Sequence, residues 1–234
     1  MRRLGLGLCA ALGGAGCTPV LPMHFAETAE VIAKKEVSLT VSGGGGSASN
    51  VNNCCGGGAA RVRVGVGHNM EVGVEAEVLG TGNSSAGTVV LGGKVSYKYA
   101  PIPYLAILAG VGAMGSFGVG MGASNGDAGL GADVGAVAST PVLAKLLRIY
   151  GGARFSFVVP ARKDIYAGGG PTQGIIVPVG LSLEPSRRWR VYLEGGYLGG
   201  WSENNYAING NRFGSINWNG GYGSLSLAYV WRSP

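Results

Sequence analysis

The chain has 234 residues, of which 46 are glycine, and only 13% of its residues are charged. So few charges exclude a disordered chain, and the shortage of leucine and isoleucine is against an ordinary helical core, so a single all-β domain is favoured. The formal net charge is +6, but no run of lysine and arginine is longer than two, which does not favour a nucleic-acid-binding surface.

The N-terminus is typical of a secretory signal peptide, with a basic start followed by an apolar stretch and then small residues. The sequence Leu-Gly-Gly-Ala-Gly before Cys17 resembles a bacterial lipobox. That resemblance implies that residues 1–16 are removed and that Cys17 is acylated, which would anchor the chain to a membrane. Cleavage elsewhere, with an unmodified Cys17, is the alternative. Residues 17–35 are then predicted to form a lipid-anchored periplasmic tether.

The first hairpin is predicted by strict alternation over residues 61–78. Its valines occupy every second position and share one face, while its arginines and glutamates share the other face. A three-residue loop would place Arg63 opposite Glu75 and Arg61 opposite Glu77. Such a hairpin fits either a soluble barrel with its valines inside, or a membrane barrel with its valines in lipid and its charges in the lumen.

Ten segments alternate in this way and are predicted to be strands. They cover residues 36–42, 60–67, 71–79, 88–99, 104–113, 128–138, 147–159, 174–184, 189–201 and 222–231. Within each strand the charged residues share one parity, opposite to that of the apolar residues, which favours the membrane barrel. Seven acids and seven bases are thereby predicted to face the lumen, where they can pair. They are Glu36, Arg61, Arg63, Glu71, Glu75, Glu77, Lys94, Lys98, Asp133, Arg148, Arg154, Glu184, Arg190 and Glu194.

The predicted connections alternate between long and short, with 17, 3, 8, 4, 14, 8, 14, 4 and 20 residues. Membrane barrels have short periplasmic turns and longer outer loops, and an even number of strands puts both termini in the periplasm. A lipid anchor at Cys17 would lie on the same side. Tyrosine and tryptophan lie towards strand ends, as they do in interfacial girdles.

The pattern over residues 36–231 resembles the small outer-membrane β-barrel proteins of Gram-negative bacteria. The last strand, residues 224–231, resembles the C-terminal assembly signal of that class, although Ser226 stands where the class has glycine and three residues follow the strand. The resemblance implies an all-β fold, a closed antiparallel up-and-down transmembrane barrel of about ten strands, with eight as the alternative.

No catalytic, metal or cofactor site is predicted. The two histidines, His24 and His68, fall in the tether and in a short turn, so neither is placed for the chemistry of outer-membrane proteases or phospholipases. Cys54 and Cys55 are expected in the first long loop, where they could form a vicinal disulfide or pair with another chain. The chain is therefore predicted not to be an enzyme.

The predicted organisation is a signal peptide at residues 1–16, a tether at residues 17–35 and a barrel at residues 36–234. The predicted function is that of an envelope structural or surface protein in contact with outer-membrane lipid, with at most a narrow polar pore and no nucleic-acid partner. A surface ligand or partner bound by the long loops is left open. The alternative is a soluble secreted β-barrel that binds an apolar ligand in its interior.

Overall fold

A computed structural model describes residues 26–48, 53–82, 86–120, 127–143, 146–161, 169–204, 207–208, 211–212 and 216–232. Within these ranges no helix is long and apolar enough to cross a membrane. The signal peptide and Cys17 lie outside the described residues, so both stay predictions.

Ten long strands account for most of the described chain. They are β1 Glu36–Ala48, β2 Asn53–Gly67, β3 Met70–Gly82, β4 Ala86–Ile102, β5 Leu105–Gly120, β6 Asp127–Leu143, β7 Leu147–Pro160, β8 Gly169–Leu183, β9 Trp189–Asn204 and β12 Ile216–Arg232. Two short strands, β10 Ala207–Ile208 and β11 Asn211–Arg212, pair with each other between β9 and β12.

The ten long strands close into a barrel in which sequential strands are antiparallel neighbours and β12 pairs with β1. The predicted fold class, a closed up-and-down barrel with ten strands, is confirmed. Closure leaves no sheet edge with unpaired backbone groups, which is the condition for a sheet in lipid.

The strands are longer than predicted because glycine-rich stretches join them. Gly43–Gly46 belong to β1 and Gly56–Gly58 to β2, where they pair with each other instead of forming a long loop. The connections at one end of the barrel have four, three, six, eight and eleven residues, whereas those at the other end have two, two, three and five. We call these ends the loop end and the turn end. The alternation of long and short connections is retained, with shorter loops.

The β2–β3 hairpin differs from its predicted register by two residues. Arg61 lies opposite Glu75 and Arg63 opposite Gly73. The turn has two residues, and the pairing shifts between Gly65 and Gly67, which indicates a bulge. Asn69 in the turn has a φ of 58°, a conformation that asparagine tolerates better than most residues. Alternation predicts the faces of both strands, but a bulge next to a turn is not visible in it.

The outer face of the barrel is apolar. Val62, Val179 and Leu227 are 43%, 61% and 47% exposed, so the soluble alternative, which needs these residues inside, has the wrong sidedness. Among the strand residues whose side chains are described, none of the exposed ones is charged. A water-facing sheet would carry charges on this face, whereas a lipid-facing sheet excludes them.

Aromatic side chains border this apolar face. Near the turn end, Trp189 packs against Tyr229 at a ring-centroid distance of 4.8 Å, and Tyr229 stacks on Trp231 at 5.9 Å. Towards the loop end, Trp201 packs against Phe155. Trp189 and Trp201 are twelve residues apart on β9, which corresponds to about 30 Å along the barrel axis at the usual rise and tilt. That span matches the hydrocarbon thickness of a bilayer.

The segment before β1 lies inside the barrel. Ala26, Ala29 and Ile32 are almost completely buried, and their amide groups bond to strand side chains that face the lumen. Residues 26–32, which the sequence analysis assigned to the tether, therefore lie against the lumen wall, because the lumen offers acceptors and cations that match this stretch. Lys35 has a φ of 68° at the point where the chain leaves the lumen and enters β1. The preceding part of the predicted tether lies outside the described residues.

Candidate functional site: the barrel lumen

The structure places nine of the fourteen predicted lumen residues in the buried interior and the other five at intermediate exposure. The buried residues are Arg61, Arg63, Glu71, Glu75, Lys94, Lys98, Asp133, Arg154 and Glu194. The residues of intermediate exposure are Glu36, Glu77, Arg148, Glu184 and Arg190. Period-2 alternation therefore brings together residues from seven strands and one turn, because every second side chain of each strand points to the same interior.

One group of ion pairs lies at mid-barrel and centres on Asp133. Arg154 donates its Nε–H to Asp133 Oδ1 at 2.6 Å, and Lys94 Nζ lies 3.4 Å from Asp133 Oδ2. Lys94 also lies 3.8 Å from Glu75, which accepts a hydrogen bond from Arg61. Each charge in this group of ion pairs has a neighbour of opposite charge, which offsets the cost of removing it from water.

A second group lies closer to the turn end and centres on Glu71. Arg63 Nη1 donates to Glu71 Oε1 at 3.0 Å, and Lys98 Nζ lies 3.4 Å from the same oxygen. The carboxylate of Glu27, from the N-terminal segment, lies 3.4 Å from both Arg61 and Arg63 and so links the two groups. A residue that is not on a strand thus completes the network.

Glu194 is held by tyrosines. The hydroxyls of Tyr150 and Tyr222 donate to its two carboxylate oxygens at 3.0 and 2.8 Å, and the Ala26 amide donates at 2.8 Å. Tyr192 packs edge-on against Tyr150. Three hydrogen-bond donors therefore converge on this one buried carboxylate.

The network reaches water at the turn end. Arg148 and Arg190 each lie 3.6 Å from Glu184 and also contact Glu30 of the N-terminal segment. The side chain of Glu30 is 34% exposed, compared with 6% for Glu27. Burial, together with the neighbouring Glu30 carboxylate, raises the pKa of Glu184 above its usual value, although both arginines act in the opposite direction.

An apolar layer crosses the lumen on the loop-end side of the ion pairs. Seven inward side chains form this buried cluster, and each is at most 8% exposed. The cluster consists of Leu79, Val90, Met114, Val158, Ile176, Leu198 and Tyr222. The charge-based prediction did not include this layer, because inward apolar residues break the alternation on which that prediction depends.

Sequence reasoning missed Glu27 and Glu30, which it assigned to a tether, and the tyrosines that bind Glu194. A signal for the segment exists in the sequence, since residues 26–31 read Ala-Glu-Thr-Ala-Glu-Val. These are two successive triplets, each with a small residue, an acidic residue and a third residue of any type, which we call small–acidic–any triplets. The tyrosines share the inward parity of their strands and could have been included on that ground.

The remaining candidates are the two histidines, a metal site and the cysteine pair. His68 is exposed in the turn between β2 and β3, and His24 lies outside the described residues. In the described part of the chain, no group of three or more potential ligand residues could hold a metal ion. The backbone of Cys54 and Cys55 belongs to β2 and not to a loop, whereas their side chains lie outside those described, so the vicinal disulfide stays a prediction.

No protein-family model and no curated protein sequence matches the chain. Among solved structures, the translocator domain of the autotransporter NalP from Neisseria meningitidis is similar with a TM-score of 0.46 and 12% identity, over 83% of this chain and 87% of that chain. The outer-membrane protease OmpT from Escherichia coli is similar with a TM-score of 0.42 and 9% identity, over 84% and 96% of the two chains. The outer-membrane protein OprG from Pseudomonas aeruginosa is similar with a TM-score of 0.40 and 8% identity, over 86% of this chain and 98% of that chain.

Proposed function

We propose that this chain is a β-barrel of the bacterial outer membrane, with both termini in the periplasm, and that it serves as an envelope structural or surface protein and not as an open porin or an enzyme. The observation that carries the proposal is the sidedness of the barrel. Its outer face presents aliphatic and aromatic residues, with no exposed charge among the strand side chains that the structure describes, and its inner face holds paired ions. Only a nonpolar surrounding makes this arrangement favourable.

The lumen favours a closed barrel. A polar pore needs a continuous file of solvated side chains, whereas here the ionic side chains are buried against one another and against residues 26–32. The apolar layer lies in series with them towards the loop end. Such a layer opposes ion passage because it offers no group to replace the water of hydration.

Planar-bilayer recording tests the closed state. We expect the purified full-length protein, folded in detergent and added to the bilayer, to give no conductance steps above the background of protein-free detergent. An open porin added under the same conditions serves as the positive control. Reproducible steps from the wild-type protein would contradict a closed lumen and would favour the narrow-pore function.

The lipid anchor is a separate part of the proposal. A diacylated or triacylated Cys17 would tie the chain to the periplasmic leaflet, since one acyl chain alone binds a bilayer only weakly. We expect labelled palmitate to enter the wild-type protein in growing cells and not its Cys17→Ala variant, while both give the same folded barrel on unheated gels. Equal labelling of the two proteins, or none in either, would remove the anchor from the proposal.

A partner at the cell surface would be bound by the loop end. The surface role rests on topology, because loop-end connections are the parts of an outer-membrane barrel that face the exterior.

A further inference from the structure

Residues 26–33 contact the lumen wall in the way a bound peptide contacts its receptor. The amides of Ala26, Ala29 and Ile32 donate to Glu194, Ser139 and Glu71 at 2.8, 3.1 and 3.0 Å. These three donors are spaced by three residues, although the segment forms neither a helix nor a strand. Lys98 donates to the carbonyl oxygen of Glu30 at 2.7 Å. Four backbone groups are therefore bound by four side chains of the wall.

The two acidic side chains of the segment are each held by two guanidinium groups. The Glu27 carboxylate lies 3.4 Å from Arg61 and from Arg63, which are both on β2. The Glu30 carboxylate lies 3.3 Å from Arg148 on β7 and 3.4 Å from Arg190 on β9. Because Glu27 and Glu30 are three residues apart, like the bound amides, both triplets of the segment make the same kinds of contact.

The wall is also shaped for a chain with small residues at fixed positions. Ala26 and Ala29 are 1% and 0% exposed and pack among inward side chains that include Tyr150 and Tyr192. Where the segment leaves the lumen, a Cβ on Gly65 would lie only 2.7 Å from the Ile32 carbonyl oxygen and would also meet that of Ala33. The absence of a side chain at Gly65 makes room for the backbone.

The mixture of charges in the wall selects a peptide over a simple anion. Glu71 and Glu194 would repel an inorganic anion, but both accept amide hydrogens of the segment. A ligand that satisfies the wall must therefore carry amide donors and carboxylates together, in alternation along its chain. The site opens towards the turn end, where Glu30 is the partly exposed contact.

We propose that the turn-end half of the lumen is a peptide-binding site for acidic segments built of small–acidic–any triplets. Residues 26–33 occupy this site in cis, and a segment of the same kind from another chain binds there when the cis segment is released. A tethered segment competes at an effective concentration in the millimolar range, so the wild-type site is closed to dilute peptide. This inference concerns the lumen alone and does not depend on the membrane in which the barrel resides.

The test uses the full-length protein with Glu27→Gln and Glu30→Gln, which keeps the cis segment in the chain but removes both of its charges. The probe is a fluorescein-labelled peptide with the sequence of residues 26–33, titrated against folded protein in detergent and followed by fluorescence anisotropy. We expect saturable binding to the double variant and binding at least tenfold weaker to the wild type. A Lys34→Gln variant, which changes an exposed charge just beyond the segment, should behave like the wild type.

A second peptide with glutamine at both glutamate positions tests the recognition itself. We expect it to bind the double variant at least tenfold more weakly than the acidic peptide. If the double variant does not fold, the single variant Glu30→Gln, which alters only the partly exposed contact, replaces it in the same titration. No saturable binding of the acidic peptide to a folded variant, or equal binding of both peptides, would overturn the proposal.

Discussion

The lipid-facing assignment can be tested with one arginine placed at two depths on the same strand. Val111 is 62% exposed in the middle of β5, and Leu105 is 37% exposed at the start of that strand and on the same face. Six residues at the usual rise and tilt separate them by about 15 Å along the membrane normal. Leu105 directly follows the exposed Tyr104 of the β4–β5 turn, so Val111 falls close to the middle of the apolar band, which is about 25 Å tall.

The expected loss of unfolding free energy depends on how deep in the bilayer the arginine lies. Arginine at the midplane of a barrel costs about 2–4 kcal/mol, whereas arginine near the interface costs at most about 1 kcal/mol. We therefore expect Val111→Arg to lower the free energy of unfolding by about 2–3 kcal/mol more than Leu105→Arg. That difference corresponds to a change of roughly 30- to 150-fold in the folding equilibrium.

Reversible urea unfolding in phospholipid vesicles, followed by tryptophan fluorescence, measures both variants. The slope of the transition should match that of the wild type, which would show that the same surface is exposed on unfolding. If Val111 faced water, arginine there would be nearly neutral. Equal unfolding free energies for Val111→Arg and Leu105→Arg would refute the assignment of this face to lipid.

Two further predictions concern the interior and use the same urea assay. Asp133→Asn should destabilise the barrel by about 3–5 kcal/mol, because it leaves Arg154 buried with a weakened partner. Glu30→Gln, at the partly exposed end of the network, should cost at most about 1 kcal/mol. Similar costs for the two variants would show that burial does not decide the strength of these ion pairs. Gly44→Ala should destabilise the barrel by about 1–3 kcal/mol, because its new methyl group would press on the backbone of β12. The methyl group of Gly43→Ala would meet nothing closer than 3.9 Å, so this variant should be neutral or slightly stabilising. A destabilised Gly43→Ala would contradict the outward placement of that residue.

The faces of the strands could be predicted from sequence because alternation is a local property. A residue at position i and one at i+2 share a face whatever the rest of the chain does, so the pattern alone separates Arg61 and Glu75 from the valines of their strands. The pairing of those two residues does not follow from it. It depends on the two-residue turn and on a bulge near Val66, and the predicted register was wrong by two residues for that reason.

Strand ends were predicted less well because glycine carries no hydrophobic signal. The glycines of β1 and β2 satisfy their backbone groups by pairing across strands, and this gain depends on partners that are distant in sequence. The tyrosines that bind Glu194 and the apolar layer at the loop end were missed for a related reason. Their roles depend on which side chains meet across the lumen and not on the order of residues within a strand.

The amino-acid order by itself determined which side chains share a face of each strand, since a two-residue period fixes this once the backbone is extended. Only the tertiary structure decided which face lies inside and what fills the barrel. Ala26 meets Glu194 across 168 positions of sequence, and Glu30 meets Arg148 across 118. Contacts of that separation form because closure of the barrel creates an enclosed space whose acceptors and cations must find partners, and no local pattern encodes which segment supplies them.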